Sequence, residues 1–230
     1  MERNGLKIGS FAGAPIIVDW TVAILAGYLV FTDLQRGGVD VLPHSLLFIA
    51  ALFIAILAHE MGHAGVAAAF KIRSSEIVLT FFGGHVSYIT PPRARWHDIL
   101  VTAAGPAVNL ALWALVSLVI GPNLPVSLLA SENLSYFLSQ LAYVNVVLGL
   151  FNLLPGYPLD GGAILSAILS YFMRTARARW IAAWSGVIIA TLVALYGLYL
   201  GLLWTAGIGA LLAFEAFQEV NRTSRVLNGR

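Results

Sequence analysis

The chain has 230 residues, 59% of them hydrophobic and only 10% charged, with a mean hydropathy of +0.85. A soluble domain carries about 25% charge and about 45–50% apolar residues, so this composition excludes a water-soluble globular protein and, equally, a disordered one. Cysteine is absent and the net charge is only +2, which removes disulfides, thiolate metal sites and a thiol nucleophile and argues against nucleic acid as a partner.

Residues Lys7 to Val18 read as a short hairpin leading into the membrane, and Met1 to Ala14 lacks the long apolar core of a cleavable signal peptide. A membrane span needs about 20 mostly apolar residues. The first is expected from about Ile16 to Thr32 and the second from about Leu46 to Phe70. Glu76 to Thr90 is rich in β-branched and aromatic residues, with Gly83 and Gly84 in mid-run. That pattern predicts one or two strands with a bend or a close backbone approach at the glycines. A third span is expected from about His97 to Ile120. The fourth element starts near Leu134, reaches Leu154, breaks at Pro155-Gly156-Tyr157-Pro158 and continues as a short apolar helix from Gly161 to Met173. The charge-free stretch Trp180–Phe214 divides into two spans that turn near Gly197–Gly201, the second running on to about Val220.

The sum is an all-α polytopic membrane protein with about six transmembrane helices and a small membrane-associated β element between helices 2 and 3. Residues 1–230 form a single membrane-embedded domain in this reading. Six crossings place both termini on one side together with all of the 13 Lys and Arg residues except Arg36. Excess Lys and Arg marks the cytoplasmic face, so the termini are expected to be cytoplasmic in a multi-pass protein of the cell membrane.

Ionisable residues inside a span cost about 2.5–3.5 kcal/mol each on insertion scales, so those present are read as functional. The second span carries His59-Glu60-Met61-Gly62-His63. Residues four apart share a helix face, so the two imidazoles can meet one ion while Glu60 reaches water beside it, the H-E-x-x-H zinc pattern. His59 lies 12 residues before Lys71, or about 18 Å at about 1.5 Å per residue, which puts the pattern deep in the bilayer. A hydrolytic zinc site usually takes three protein ligands, and the internal candidates for the third are Asp160, Glu215 and Asp19. Asp160 follows the Pro/Gly break that begins at Asn152, and broken backbone at membrane depth is tolerated where it is buried in protein or lines a cavity. Glu215, near the end of the last span, reads more readily as a helix-end charge.

His59-Glu-x-x-His63 together with Asn152-x-x-Pro-x-x-Pro-Leu-Asp160-Gly-Gly resembles the site-2 protease family of intramembrane metalloproteases. Phe82-Gly-Gly84 is similar to the family's Gly-Gly strand region, and the branch that processes sporulation sigma-factor precursors has a similar segment. Gly105-x-x-x-Asn109 is similar to the family's Gly-x-x-x-Asn motif. The resemblance is to the minimal branch, without PDZ or CBS domains. His85, directly after the glycines, departs from the small or apolar residue expected there.

The resemblance implies one zinc ion held by His59, His63 and Asp160, Glu60 as the base, and Asn152 as oxyanion donor with Asn109 as second choice. It also implies a substrate that is a transmembrane segment of another membrane protein in the lipid bilayer. Gly83, Gly84 and Asn109 are then expected on the substrate side, with Leu79–Ile89 receiving the extended peptide as an added strand. Three other readings remain: a ZIP-like divalent-metal transporter, an H-E-x-x-H membrane protease with Glu215 as third ligand, and a structural membrane protein. The transporter reading lacks a second ligand cluster on neighbouring helices.

Overall fold

A computed structural model describes residues 5–81, 83–90, 94–120 and 131–229. Phe82 of the Phe-Gly-Gly segment, and Arg3, Arg93 and Arg230 of the basic asymmetry, lie outside the described residues. The strands are β1 (Gly5–Phe11), β2 (Ala14–Asp19), β3 (Ser74–Thr80) and β4 (Gly83–Tyr88). The helices are α1 (Thr21–Gly37), α2 (Leu42–Ala69), α3 (Arg95–Ile120), α4 (Glu132–Asn152), α5 (Asp160–Leu169), α6 (Thr175–Tyr199) and α7 (Leu203–Leu227). Among the described residues, four helical segments are long and apolar enough to cross a membrane: Val39–Ala69, α3, α4 and α6.

The chain divides into two compact units, Met1–Pro92 with Ala104–Leu150, and Arg93–Ala103 with Phe151–Arg230. The first holds the whole sheet, in the order β1-β2-β3-β4. β1 and β2 form an antiparallel hairpin, β2 runs parallel to β3, and β3 and β4 pair antiparallel. The β element is thus larger than a ribbon between the second and third spans, because the N-terminal hairpin joins it.

This also moves the start of the first helix, which the sequence expectation placed in a membrane span. Ile16, Ile17 and Val18 are expected to open it, but they sit in β2 opposite Ile77, Val78 and Leu79, and α1 begins only at Thr21. A run of β-branched residues packs well on a pleated sheet, and here its apolar character serves the sheet's own core. Ala14, Ile16 and Ile77 pack on Ala64 of α2, with Phe11, Leu57 and Val86 around them. Asp19, a candidate metal ligand by sequence, accepts a hydrogen bond from the Thr21 N–H at 2.9 Å, at the mouth of α1.

In the second unit α6 and α7 are joined through Gly201, whose φ of +70° lies in the left-handed region that glycine adopts most readily. Their interface uses small residues that let two backbones approach, as helices in lipid commonly do: a Cβ on Gly197 or Gly209 would strike the backbone of Ala206 or Ala194. Near the far end, Glu219 of α7 is buried and faces Arg179 of α6 at 3.4 Å. The break between α4 and α5 is docked on α6. The Tyr157 N–H donates to the Ala182 carbonyl at 3.0 Å, and the Ser185 hydroxyl donates to the Pro155 carbonyl at 2.5 Å. These bonds satisfy backbone groups that lipid cannot.

Candidate functional site

One stripe of α2 is buried at every fourth position, namely Ala51, Ala55, His59, His63 and Ala67. Small residues at those positions let neighbouring elements come close, and the stripe carries its two imidazoles into the protein interior rather than towards lipid. His59, Glu60 and His63 are 5%, 4% and 8% exposed. The two rings stand edge to face with centroids 4.7 Å apart. Each offers a ligand nitrogen within 4.8 Å of the other's.

Where those nitrogens point is read from Gly105 of α3. A Cβ there would collide with Nε2 of His63 and lie 2.8 Å from Nε2 of His59. Both Nε2 atoms therefore converge on one spot that only a residue without a side chain leaves open. Two imidazole nitrogens aimed at one point fit a divalent transition-metal ion, the donor type that zinc favours. One turn away, Gly62 lets α2 approach the Ala104 carbonyl, which would sit 2.7 Å from a Cβ on Gly62.

Glu60 faces the sheet. A Cβ on Gly84 of β4 would collide with the Glu60 side chain, its Oε1 lying 2.6 Å away. The two adjacent glycines thus have different reasons. Gly84 permits the carboxylate's approach, and Gly83 adopts a φ of +125° at the β3–β4 turn. His85 is exposed on β4, opposite Val78. β4 is the last strand in the sheet order, so its far edge is free of strand pairing among the described residues.

Asn109 of α3 is fully buried behind His59. Its Oδ1 lies 2.5 Å from His59 Nδ1, and its Nδ2 donates to the Ala55 carbonyl at 3.0 Å and to Asn145 Oδ1 at 2.8 Å. Both amide hydrogens are thereby engaged. Asn145 of α4, also fully buried, donates in turn to the Leu141 carbonyl at 2.7 Å. Sequence reasoning passes over Asn145 and the role of Gly105. The available signals are an amide within the apolar run 141–151 of α4 and a glycine one turn before Asn109 on the same face.

In the second unit, Asn152 ends α4 and Asp160 opens α5, both half-buried. The turn between them is set by glycines with no room for a side chain. A Cβ on Gly161 would meet the carbonyls of Leu153 and Leu154, and one on Gly162 would meet Gly156 and the Tyr157 amide nitrogen. Glu215, the rival ligand, is exposed on α7.

Residues 47–125 and 121–195 match the pattern of peptidase family M50. The chain belongs to this family. With four apolar helices among its described residues, this M50 chain is an integral membrane protein. It is 34% identical over 177 residues to the protein sll0528 of Synechocystis, covering 73% of this chain and 45% of that one. It is 32% identical over 193 residues to the zinc metalloprotease MJ0392 of Methanocaldococcus jannaschii, covering 84% of this chain and 54% of that one. The M50 chain therefore spans about half the length of the curated relatives it matches. A solved structure, the site-2 protease from Methanocaldococcus jannaschii, is similar with a TM-score of 0.71 and 25% identity, covering 94% of this chain and 95% of that one.

Proposed function

We propose that this chain is an intramembrane zinc endopeptidase that cuts a peptide bond in or near a transmembrane segment of another membrane protein. The observation that carries this reading is the convergence of two buried Nε2 atoms over Gly105, with the Glu60 carboxylate one residue along the same helix, in a chain of family M50. With His59 and His63, Asp160 is the third donor in this proposal, as the resemblance of its Pro/Gly-break motif implies, and one zinc ion is the metal, as the name of the Methanocaldococcus jannaschii relative supports. When bound, zinc would supply a Lewis acid that lowers the pKa of its water towards about 7.

The chain's own residues do the rest. Glu60, whose approach to the sheet Gly84 permits by lacking a side chain, takes a proton from the attacking water and hands it to the leaving amine. The amide of Asn152 donates to the oxyanion as it forms. A transmembrane helix must unwind before its amide bonds can be attacked, and the outer edge of β4, which pairs with no other strand among the described residues, offers an extended segment a place for strand addition. Gly83 and Gly84 then lie on the substrate side. The protein sits in the cell membrane with six crossings and cytoplasmic termini, a topology supported by the lone Arg36 on the other face. Reporter fusions at Arg177 and Arg225 should report the same side, and opposite sides would refute that topology.

The decisive experiment on function is Glu60→Gln in purified protein with a membrane-protein substrate. Cleavage should fall by about 10²–10⁴-fold, the range for a lost general base, while bound zinc and thermal stability stay close to the parent. Undiminished cleavage in Glu60→Gln would end the protease reading.

A further inference from the structure

We infer that Asn109 is a positioning residue for the metal centre: it fixes the tautomer and orientation of His59, so that Nε2 carries the lone pair and faces the spot over Gly105. The inference rests on the metal-centre reading above and adds a role for the Gly105-x-x-x-Asn109 face of α3.

The argument starts from acceptors that cannot change. The carbonyls of Ala55 and Leu141 have only lone pairs to offer. The Leu141 carbonyl therefore takes the Nδ2 end of Asn145 and turns its Oδ1 towards Asn109. The Ala55 carbonyl and Asn145 Oδ1 together take both hydrogens of Asn109 Nδ2. Reversing the Asn109 amide would set its oxygen against both of those acceptors at hydrogen-bond distance, so Oδ1 is the end that faces His59. A carbonyl-type oxygen at 2.5 Å from His59 Nδ1 requires that nitrogen to be the N–H donor. In a neutral imidazole the remaining nitrogen, Nε2, is then the acceptor, and Nε2 is the atom that Gly105 leaves room for.

The two ends of the motif thus serve one ring from two sides. Gly105 clears space before Nε2, and Asn109, four residues on and so on the same helix face, grips Nδ1 from behind. Asn109 also bonds to the Ala55 carbonyl, one turn before His59, so the grip registers ring and backbone together. With both amide hydrogens engaged, Asn109 has none to offer an oxyanion.

Zinc affinity of the purified full chain in detergent, measured by chelator competition, tests this together with the melting temperature of the metal-free protein. Asn109→Leu should weaken zinc binding by about 10–100-fold, the usual effect of losing a hydrogen-bond partner behind a ligating histidine. Asn109→Asp keeps an acceptor for His59 Nδ1 but turns its second oxygen to the Ala55 carbonyl and Asn145 Oδ1, so it should bind zinc more tightly than Asn109→Leu while melting below the parent. Asn145→Leu, which removes the bond between α3 and α4 and Asn145's own bond to the Leu141 carbonyl, should lower the melting temperature yet keep zinc within about threefold, since Ala55 still orients the Asn109 amide. Where leucine at position 109 does not fold, Asn109→Ala reads the same loss. Parental affinity in Asn109→Leu or Asn109→Ala, or Asn109→Asp as weak as the leucine variant, or Asn145→Leu losing as much zinc as Asn109→Leu, would each overturn the inference in favour of plain helix packing. His59→Ala separates the two layers. If it keeps parental affinity, the metal-centre reading itself falls. If it loses zinc while Asn109→Leu does not, only the role of Asn109 falls.

Discussion

The two halves of the proposed centre, His59–His63 and Asn152–Asp160, are built by different means. The histidines stand on an unbroken 28-residue helix, where spacing alone puts both rings on the buried stripe and side-chain amides hold one ring from behind. Asp160 stands just after a backbone break, where no helical register carries its position. Its place is set by backbone contacts instead: Gly161 and Gly162 against Leu153, Leu154 and Gly156, and the Tyr157 amide bonded to Ala182 of α6. A ligand on a helix is aimed by local geometry and trimmed by side chains. A ligand at a break is aimed by packing that reaches other elements, so the second half should be the less forgiving of small backbone changes.

The largest expected effect tests whether the second half supplies a ligand at all. Asp160→Ala should weaken zinc binding by roughly 10²–10³-fold, about one ligand's share of the binding energy of a structural zinc site. Glu215→Ala, on the exposed face of α7, should keep zinc and most of the activity. Metal analysis after dialysis decides, and zinc lost from Glu215→Ala but kept in Asp160→Ala would replace the third ligand.

The next effect sharpens the contrast between side-chain and backbone control. In Gly84→Ala the new methyl meets the movable end of Glu60, so cleavage should fall by about 10–10²-fold, as a misplacement of about 1 Å can do, with zinc and melting temperature kept. In Gly162→Ala the methyl meets the backbone of Gly156 and Tyr157, which cannot swing aside, so stability should fall by about 1–3 kcal/mol and zinc with it. Equal melting temperatures in the two variants would erase the distinction. The smallest effect is the control. Gly207→Ala in α7 meets nothing within 4 Å, and its activity, zinc content and stability should match the parent within about 1 kcal/mol.

Much of the molecule is legible in the sequence because the information is local. Helical periodicity alone brings His59 and His63 to one face, and the Pro155–Pro158 run places the break between α4 and α5. The turn between α6 and α7 at Gly201 and the strand character of the segment around Gly83 and Gly84 follow from composition. The same composition misplaces the start of the first helix, because an apolar run such as Ile16–Val18 suits lipid and a sheet core equally, and only its partner strand distinguishes them.

What the sequence by itself determined is a membrane-embedded chain with an H-E-x-x-H helix and a carboxylate after a Pro/Gly break. It did so because hydropathy, helical register and proline chemistry act over a few residues. What only the tertiary structure decided is which atoms those residues present. Asn109 meets His59 across 50 positions and Asn145 across 36, Gly105 opens space for two nitrogens of another helix, and Gly84 receives the Glu60 carboxylate. Each of these depends on two distant segments filling one volume without overlap, a condition that neither segment's own sequence contains.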